Sequence, residues 1–269
     1  MDYVFYIWHN LLIESTMKKY LNISSNRLFG IALILVLIVN IFASYSENAL
    51  FLNISKLLFV PVFLVSFLIK DKVLSLVFLS FLMFSFVGDL FPSLFGSETY
   101  MANAMYLVSY ICLLAIAVSN FRLDAIDKVV GAYLLVVLLI NGYFLYTVCS
   151  FLNVLIVDEI EMLLFGAKSW TLMLLAFTSF AVYLGKQTKA SILFLIMSIS
   201  FVFSDILNYI NHYYIYDWSI LMLERILHAV AIFYAFKYMV EQSKIPAEAY
   251  MKRSRMQEKD VLIGDNILA

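Results

Sequence analysis

Residues 73–95 read VLSLVFLSFLMFSFVGDLFPSLF, 23 positions with a single charge, Asp89, near the far end. A bilayer crossing takes about 20 predominantly apolar residues at 1.5 Å of rise each, so this run is long enough to span. Seven further segments of the same kind surround it: Leu28–Tyr45, Ser55–Ile69, Tyr100–Ser119, Val129–Ser150, Ile160–Leu184, Ala190–Asn211 and Trp218–Met239. The sequence therefore predicts an all-α, polytopic bundle of eight transmembrane helices. A transmembrane barrel is excluded, because its strands would alternate in polarity over about ten residues, and these runs are continuous.

Composition agrees. Of 269 residues, 64% are hydrophobic and 14% charged, with three prolines and eight glycines. Soluble domains run near half apolar and a quarter charged, so lipid is the solvent for much of this surface. Cys112 and Cys149 fall inside apolar runs and lack metal-ligand spacing, which makes them small buried hydrophobes. A net charge of −1 gives no sign of a nucleic-acid partner.

The ends are polar. Residues 1–27 carry Val4, Trp8, Leu11 and Leu12 at helical spacing ahead of Lys18 and Lys19, the pattern of an amphipathic helix lying on the membrane surface. Asp2, His9 and Asn10 argue against a signal peptide. Residues 28–240 form the membrane domain, and 241–269 form a polar tail. Lys and Arg alternate strictly between loops. Lys18, Lys19, Arg27, Lys70, Lys72, Arg122, Lys128, Lys186, Lys189 and the tail lie on one side, and Glu47, Glu98, Asp158 and Glu159 on the other. The positive-inside rule then puts both termini in the cytoplasm, with a bacterial inner membrane as the expected location.

Ionisable residues within spans are functional candidates by default. Asp89 ends Phe84-Ser85-Phe86-Val87-Gly88-Asp89 in span three, and Asp205 ends Ser200-Phe201-Val202-Phe203-Ser204-Asp205 in span seven. Each follows a small residue. Asp89 is 17 residues past Lys72 and Asp205 is 16 past Lys189, which sets both about 24–26 Å from the basic side, in the outer half of the bilayer. The four-span offset suggests two parallel four-helix halves. Asn208 and Asn211 share a face with Asp205, while Glu224, Arg225 and His228 occupy the first turns of span eight. Lys56 opens span two and Lys168 lies two turns into span six; on position alone both are expected to run out toward headgroups. Asn40 and Asn141 add neutral polar groups to spans one and five, and the tyrosines and phenylalanines are expected mostly at lipid or at the interfaces.

From Leu28 to Val240 the chain resembles the YhhN family of lysoplasmalogenase-like membrane proteins. Ser55-Lys56-Leu57-Leu58 is similar to the family's lysine at the start of its second helix. Phe86-Val87-Gly88-Asp89 is similar to its Gly-Asp motif, and Phe203-Ser204-Asp205 with Asn208 and Asn211 to its Ser-Asp motif. Leu57 replaces the family's proline, no histidine occurs between Ala102 and Leu113, and His228 stands in the region of the last-span glutamine.

The resemblance implies a hydrolase that cleaves the vinyl ether bond of lysoplasmalogen-type lysophospholipids. It also implies Asp89 and Asp205 as catalytic residues, with Lys56, Asn208, Asn211, Glu224, Arg225 and His228 around the substrate. Two carboxyls can divide such chemistry, Asp89 as acid and Asp205 as base, with no metal or cofactor. Arg225 is the best-placed cation for the headgroup phosphate. Two other classes fit the polar residues: a transporter for a small or cationic solute, and a non-catalytic lipid-binding protein.

Overall fold

The computed structural model describes residues 27–46, 48–68, 75–95, 100–121, 128–153, 156 and 158–244. The expected surface helix before residue 27 and nearly all of the polar tail lie outside these residues. Among them there is no strand, and eight helical segments are long and apolar enough to cross a membrane. In chain order the helices are α1 (Arg27–Tyr45), α2 (Ala49–Leu57), α3 (Phe59–Leu68), α4 (Leu76–Phe95) and α5 (Tyr100–Asn120). They continue with α6 (Lys128–Leu152), α7 (Glu159–Lys186), α8 (Lys189–Tyr213) and α9 (Trp218–Gln242). The all-α membrane bundle read from the sequence is the observed fold.

Span two is longer than the sequence reading made it, and it is broken. It runs from Leu50 to Leu68 as α2 followed by α3, because Asn48 caps an apolar turn that extends the helix backward; its side chain accepts from the Phe51 N–H at 3.2 Å. Lys56 is therefore well inside the span. The break falls at Leu58. Pro61 has no N–H for the Leu57 carbonyl, and its ring crowds that carbonyl. The Ser55 carbonyl is taken by the Asn40 amide from α1 at 2.9 Å. A polar pin and a proline together explain the kink.

The later ends are closed by local chemistry. Asp158 caps α7, and Glu159 and Glu161 in its first turn suit the positive end of the helix dipole. Gln187, at φ 45°, stops α7, and one residue later Thr188 and Ser191 form a capping box that starts α8. Asp217 caps α9 through the Ser219 N–H at 2.7 Å.

Three helix contacts recur at the four-span offset. Helix α4 packs on α5 as α8 packs on α9, α2 on α4 as α7 on α8, and α5 on α7 as α9 on α3. Val36-Leu37-Ile38-Val39-Asn40 in α1 has its counterpart in Val137-Leu138-Leu139-Ile140-Asn141 of α6, and in both the Asn amide bonds the Val carbonyl four residues back. At the end where α4 and α8 begin, the core is apolar and dominated by rings: Phe29 stacks on Phe236 at 3.9 Å, and Phe63, Phe67 and Phe78 close around them. The phenylalanines expected at lipid thus supply the core. Lipid contact falls most heavily on α6, whose apolar stretch is 6% buried against 28–50% for the other spans.

Candidate functional site

At the opposite end of the bundle, where α2, α5, α7 and α9 begin and α4 and α8 finish, the interior turns polar. A cavity of about 490 Å³ opens there, walled in part by Lys56, Asp89, Asn103, Tyr106, Lys168 and Arg225. Below it is a compartment of about 30 Å³ lined by Lys56, Tyr106, Lys168, Asp205, Glu224 and His228 among others. Lys56, Asn103, Tyr106, Lys168 and Asn208 belong to both walls, so the two spaces adjoin as two compartments of one polar region, the chamber.

Each half contributes one lysine and one aspartate. In the first, Lys56 Nζ of α2 lies 3.1 Å from Asp89 Oδ1 of α4, with side-chain exposures of 17% and 0%. In the second, Lys168 Nζ of α7 lies 2.9 Å from Asp205 Oδ1 of α8, at 6% and 12%. Both lysines were expected to run toward headgroups. They turn inward instead, because a carboxylate on the neighbouring span gives each ammonium a partner that apolar surroundings cannot. Asp89 lines the larger space and Asp205 the smaller one. They do so as two ion pairs rather than as a bare pair of acids.

Tyr106 of α5 ties the first pair together. Its hydroxyl donates to Asp89 Oδ1 and accepts from Lys56 Nζ at 3.0 Å, and the ammonium lies 5.1 Å from its ring centroid. The ring needs room beside Asp89. A Cβ placed on Gly88 would meet three of its carbons at 3.3 Å, which accounts for the glycine before that aspartate. One turn past Asp89, Pro92 cannot bond the Gly88 carbonyl, and its own carbonyl accepts from Asn53 Nδ2 at 3.3 Å. On the second pair, Asn103 Oδ1 accepts from Lys168 Nζ at 3.5 Å. Sequence reading missed Tyr106 and Asn103. Their three-residue spacing in an otherwise apolar span was the signal available.

Helix α9 supplies the third charged group. Glu224 and Arg225 are adjacent, yet both are buried and their charges meet, Arg225 Nε to Glu224 Oε2 at 3.1 Å. Glu224 Oε1 also lies 4.0 Å from Lys56 Nζ, which links α9 to span two. Neither Glu224 Oε2 nor Arg225 Nε and Nη1 has an aligned hydrogen bond, and His228 Nε2 and Asp89 Oδ2 are likewise buried without one. His228 sits between the rings of Phe59 and Phe201 at 5.2 and 5.6 Å and faces the small compartment. Buried polar atoms are normally satisfied by protein or ordered water. Several orphans around one polar space mark a place that receives water or ligand atoms.

The remaining candidates divide. Asn208 lines both spaces. Asn211 lines the large cavity, but its Oδ1 accepts from the Asp217 N–H at 3.1 Å, so it also holds the turn into α9. At the mouth, Glu161 accepts from the Tyr213 hydroxyl beside Phe165 and Tyr209. Among the described residues, no group of three or more His, Cys, Asp and Glu side chains is arranged to hold a metal ion.

No family model, curated protein or solved structure matches the chain.

Proposed function

We propose that this membrane protein is a hydrolase that cleaves the vinyl ether bond of lysoplasmalogen-type lysophospholipids. The observation that carries the reading is the pair of adjoining polar spaces, which share five lining residues and carry one Lys–Asp pair from each half, Asp89 on the larger and Asp205 on the smaller. The reaction consumes one water, breaks the bond between the vinylic carbon and the ether oxygen, and yields a fatty aldehyde and a glycerophospho-headgroup. It needs a proton on the outer alkene carbon, a water on the oxocarbenium carbon that results and, as the hemiacetal so formed collapses to aldehyde, a proton onto the leaving ether oxygen while the hemiacetal hydroxyl gives one back. The Asp89–Tyr106–Lys56 group suits the first task, since it brings the Lys56 and Tyr106 donors together around Asp89 Oδ1 beside the cavity. Asp205, held by Lys168, suits the second, stabilising the cation and taking a proton from the attacking water. Enclosure in a low-dielectric site strengthens both effects.

Arg225 is the group suited to the phosphate. It is buried, lines the large cavity, and beyond its Nε contact with Glu224 holds an Nη1 without a hydrogen-bond partner, toward which a phosphate oxygen can be directed. In the topology set by the basic loops, the chamber opens to the non-cytoplasmic face of a cytoplasmic membrane, with both termini inside. The test is to incubate purified protein with a vinyl-ether lysolipid and with its ester analogue, and to assay aldehyde. The reading expects aldehyde from the vinyl ether alone; folded protein that releases none contradicts it.

The break at Leu58 beside Lys56 favours a second reading, solute transport, because transporter sites are often built at discontinuous helices. Such breaks come in corresponding pairs. Here α7, the counterpart in the second half, runs unbroken from Glu159 to Lys186. Flux through proteoliposomes that depends on Asp89 and Asp205, without product release, would favour transport.

A further inference from the structure

The two halves differ at one polar position, and the difference points outward. In α1, Asn40 is fully buried. Its Nδ2 bonds the Val36 carbonyl and the Ser55 carbonyl, each at 2.9 Å, and its Oδ1 accepts from the Ser55 hydroxyl at 3.1 Å. The counterpart in α6, Asn141, makes the same bond back to the Val137 carbonyl at 2.8 Å and nothing more. Ser55 stands immediately before Lys56; the residue immediately before Lys168 is Ala167, which has no hydroxyl to give. Asn141 is instead exposed, with Leu139, Ile140, Tyr143 and Phe144 exposed around it.

The position is the middle of the span. Asn141 is 13 residues past Lys128 in a helix of 25 residues, about 20 Å from its start. Among the described residues, this amide has no donor for its Oδ1. Polar side chains within spans otherwise face a bundle interior or a partner, and amides join helices by hydrogen bonds across the contact. The same helix is the least covered span of the molecule.

We propose that α6 is the interface of a homodimer, with Asn141 of one protomer bonding Asn141 of the other across a twofold axis. An amide carries both donor and acceptor, so it is its own complement. A twofold contact brings the same residue face to face with itself, which makes a second copy the occupant that needs no further partner chemistry. The inference is independent of the hydrolase reading.

The test is subunit counting in liposomes across a dilution series in lipid. Wild type and Asn141→Gln are expected to dimerise, while Asn141→Leu dissociates roughly three- to twentyfold more readily, the range typical of hydrogen bonds between membrane helices. Far-UV circular dichroism should match wild type, since the Asn141 side chain is exposed and its hydrogen bond stays within its own helix. A Phe144→Cys variant lacking Cys112 and Cys149 should cross-link to itself only when Asn141 is intact. A wild type that stays monomeric throughout the series, or an Asn141→Leu variant that dimerises as tightly as wild type, overturns the proposal.

Discussion

Each buried charge in the chamber has a named partner, and the consequences of removing one follow from that. Lys168→Met leaves the Asp205 carboxylate without its ammonium in a largely apolar setting, and deleting one member of a buried pair typically costs about 3–5 kcal/mol. The double variant Lys168→Met with Asp205→Leu should recover most of that stability while remaining inactive, as read by thermal unfolding in detergent. Tyr106→Phe keeps the ring that fills the space beside Gly88 but removes the hydroxyl joining Lys56 to Asp89. A hydrogen bond to a charged group is worth about 1.5–3 kcal/mol, and the variant should lose that together with much of its turnover. Gly88→Ala is the steric counterpart. It pushes the same ring away and should lower turnover without changing any charge. Arg225→Leu should raise the apparent KM for phosphate-bearing lysolipids; an unchanged KM removes Arg225 from the headgroup.

Among the elements, span two is the one whose geometry depends on a neighbour. Asn40 and Ser55 fasten α1 to α2 just before the break that sets Lys56 in the chamber. Asn40→Leu should destabilise the protein by about 1–3 kcal/mol, because it removes both Asn40–Ser55 hydrogen bonds from a buried place, and it should impair activity by releasing Lys56. The same change at Asn141 should leave protomer stability nearly untouched. The N-terminus of α9 responds to acid. The Ser219 backbone N–H, then its hydroxyl, hold the Asp217 carboxyl below the usual carboxylate range. That cap is therefore complete above the ordinary carboxylate pKa of about 3.9 and is lost as pH falls through the lowered value. Asp217→Asn should remove this dependence.

For the whole molecule, the sequence carried the bundle almost entirely, since long apolar runs leave a helix no alternative in lipid. Asp89 and Asp205 were legible for the same reason: charge is rare there, and its depth can be counted along a helix. What could not be read was the direction of each side chain about its helix. Lys56 and Lys168 looked like residues bound for the headgroups, because their inward turn depends on which spans are neighbours. Tyr106 was hidden among eighteen tyrosines, and its role depends on the gap that Gly88 leaves on a different helix. The repeat was faint as text and became clear once packing, ion pairs and the two Val–Asn bonds matched at a four-span offset.

The central claim is that both halves serve one reaction, each through its own aspartate. Aldehyde release from a vinyl-ether lysolipid by Asp89→Asn, Asp205→Asn and the double variant, each purified and shown to be folded, tests it most directly. The account predicts that either single change lowers turnover by roughly a hundredfold or more, and that the double change costs far less than the product of the two, because groups that act as a unit are not additive. Near wild-type turnover in either single variant would contradict it.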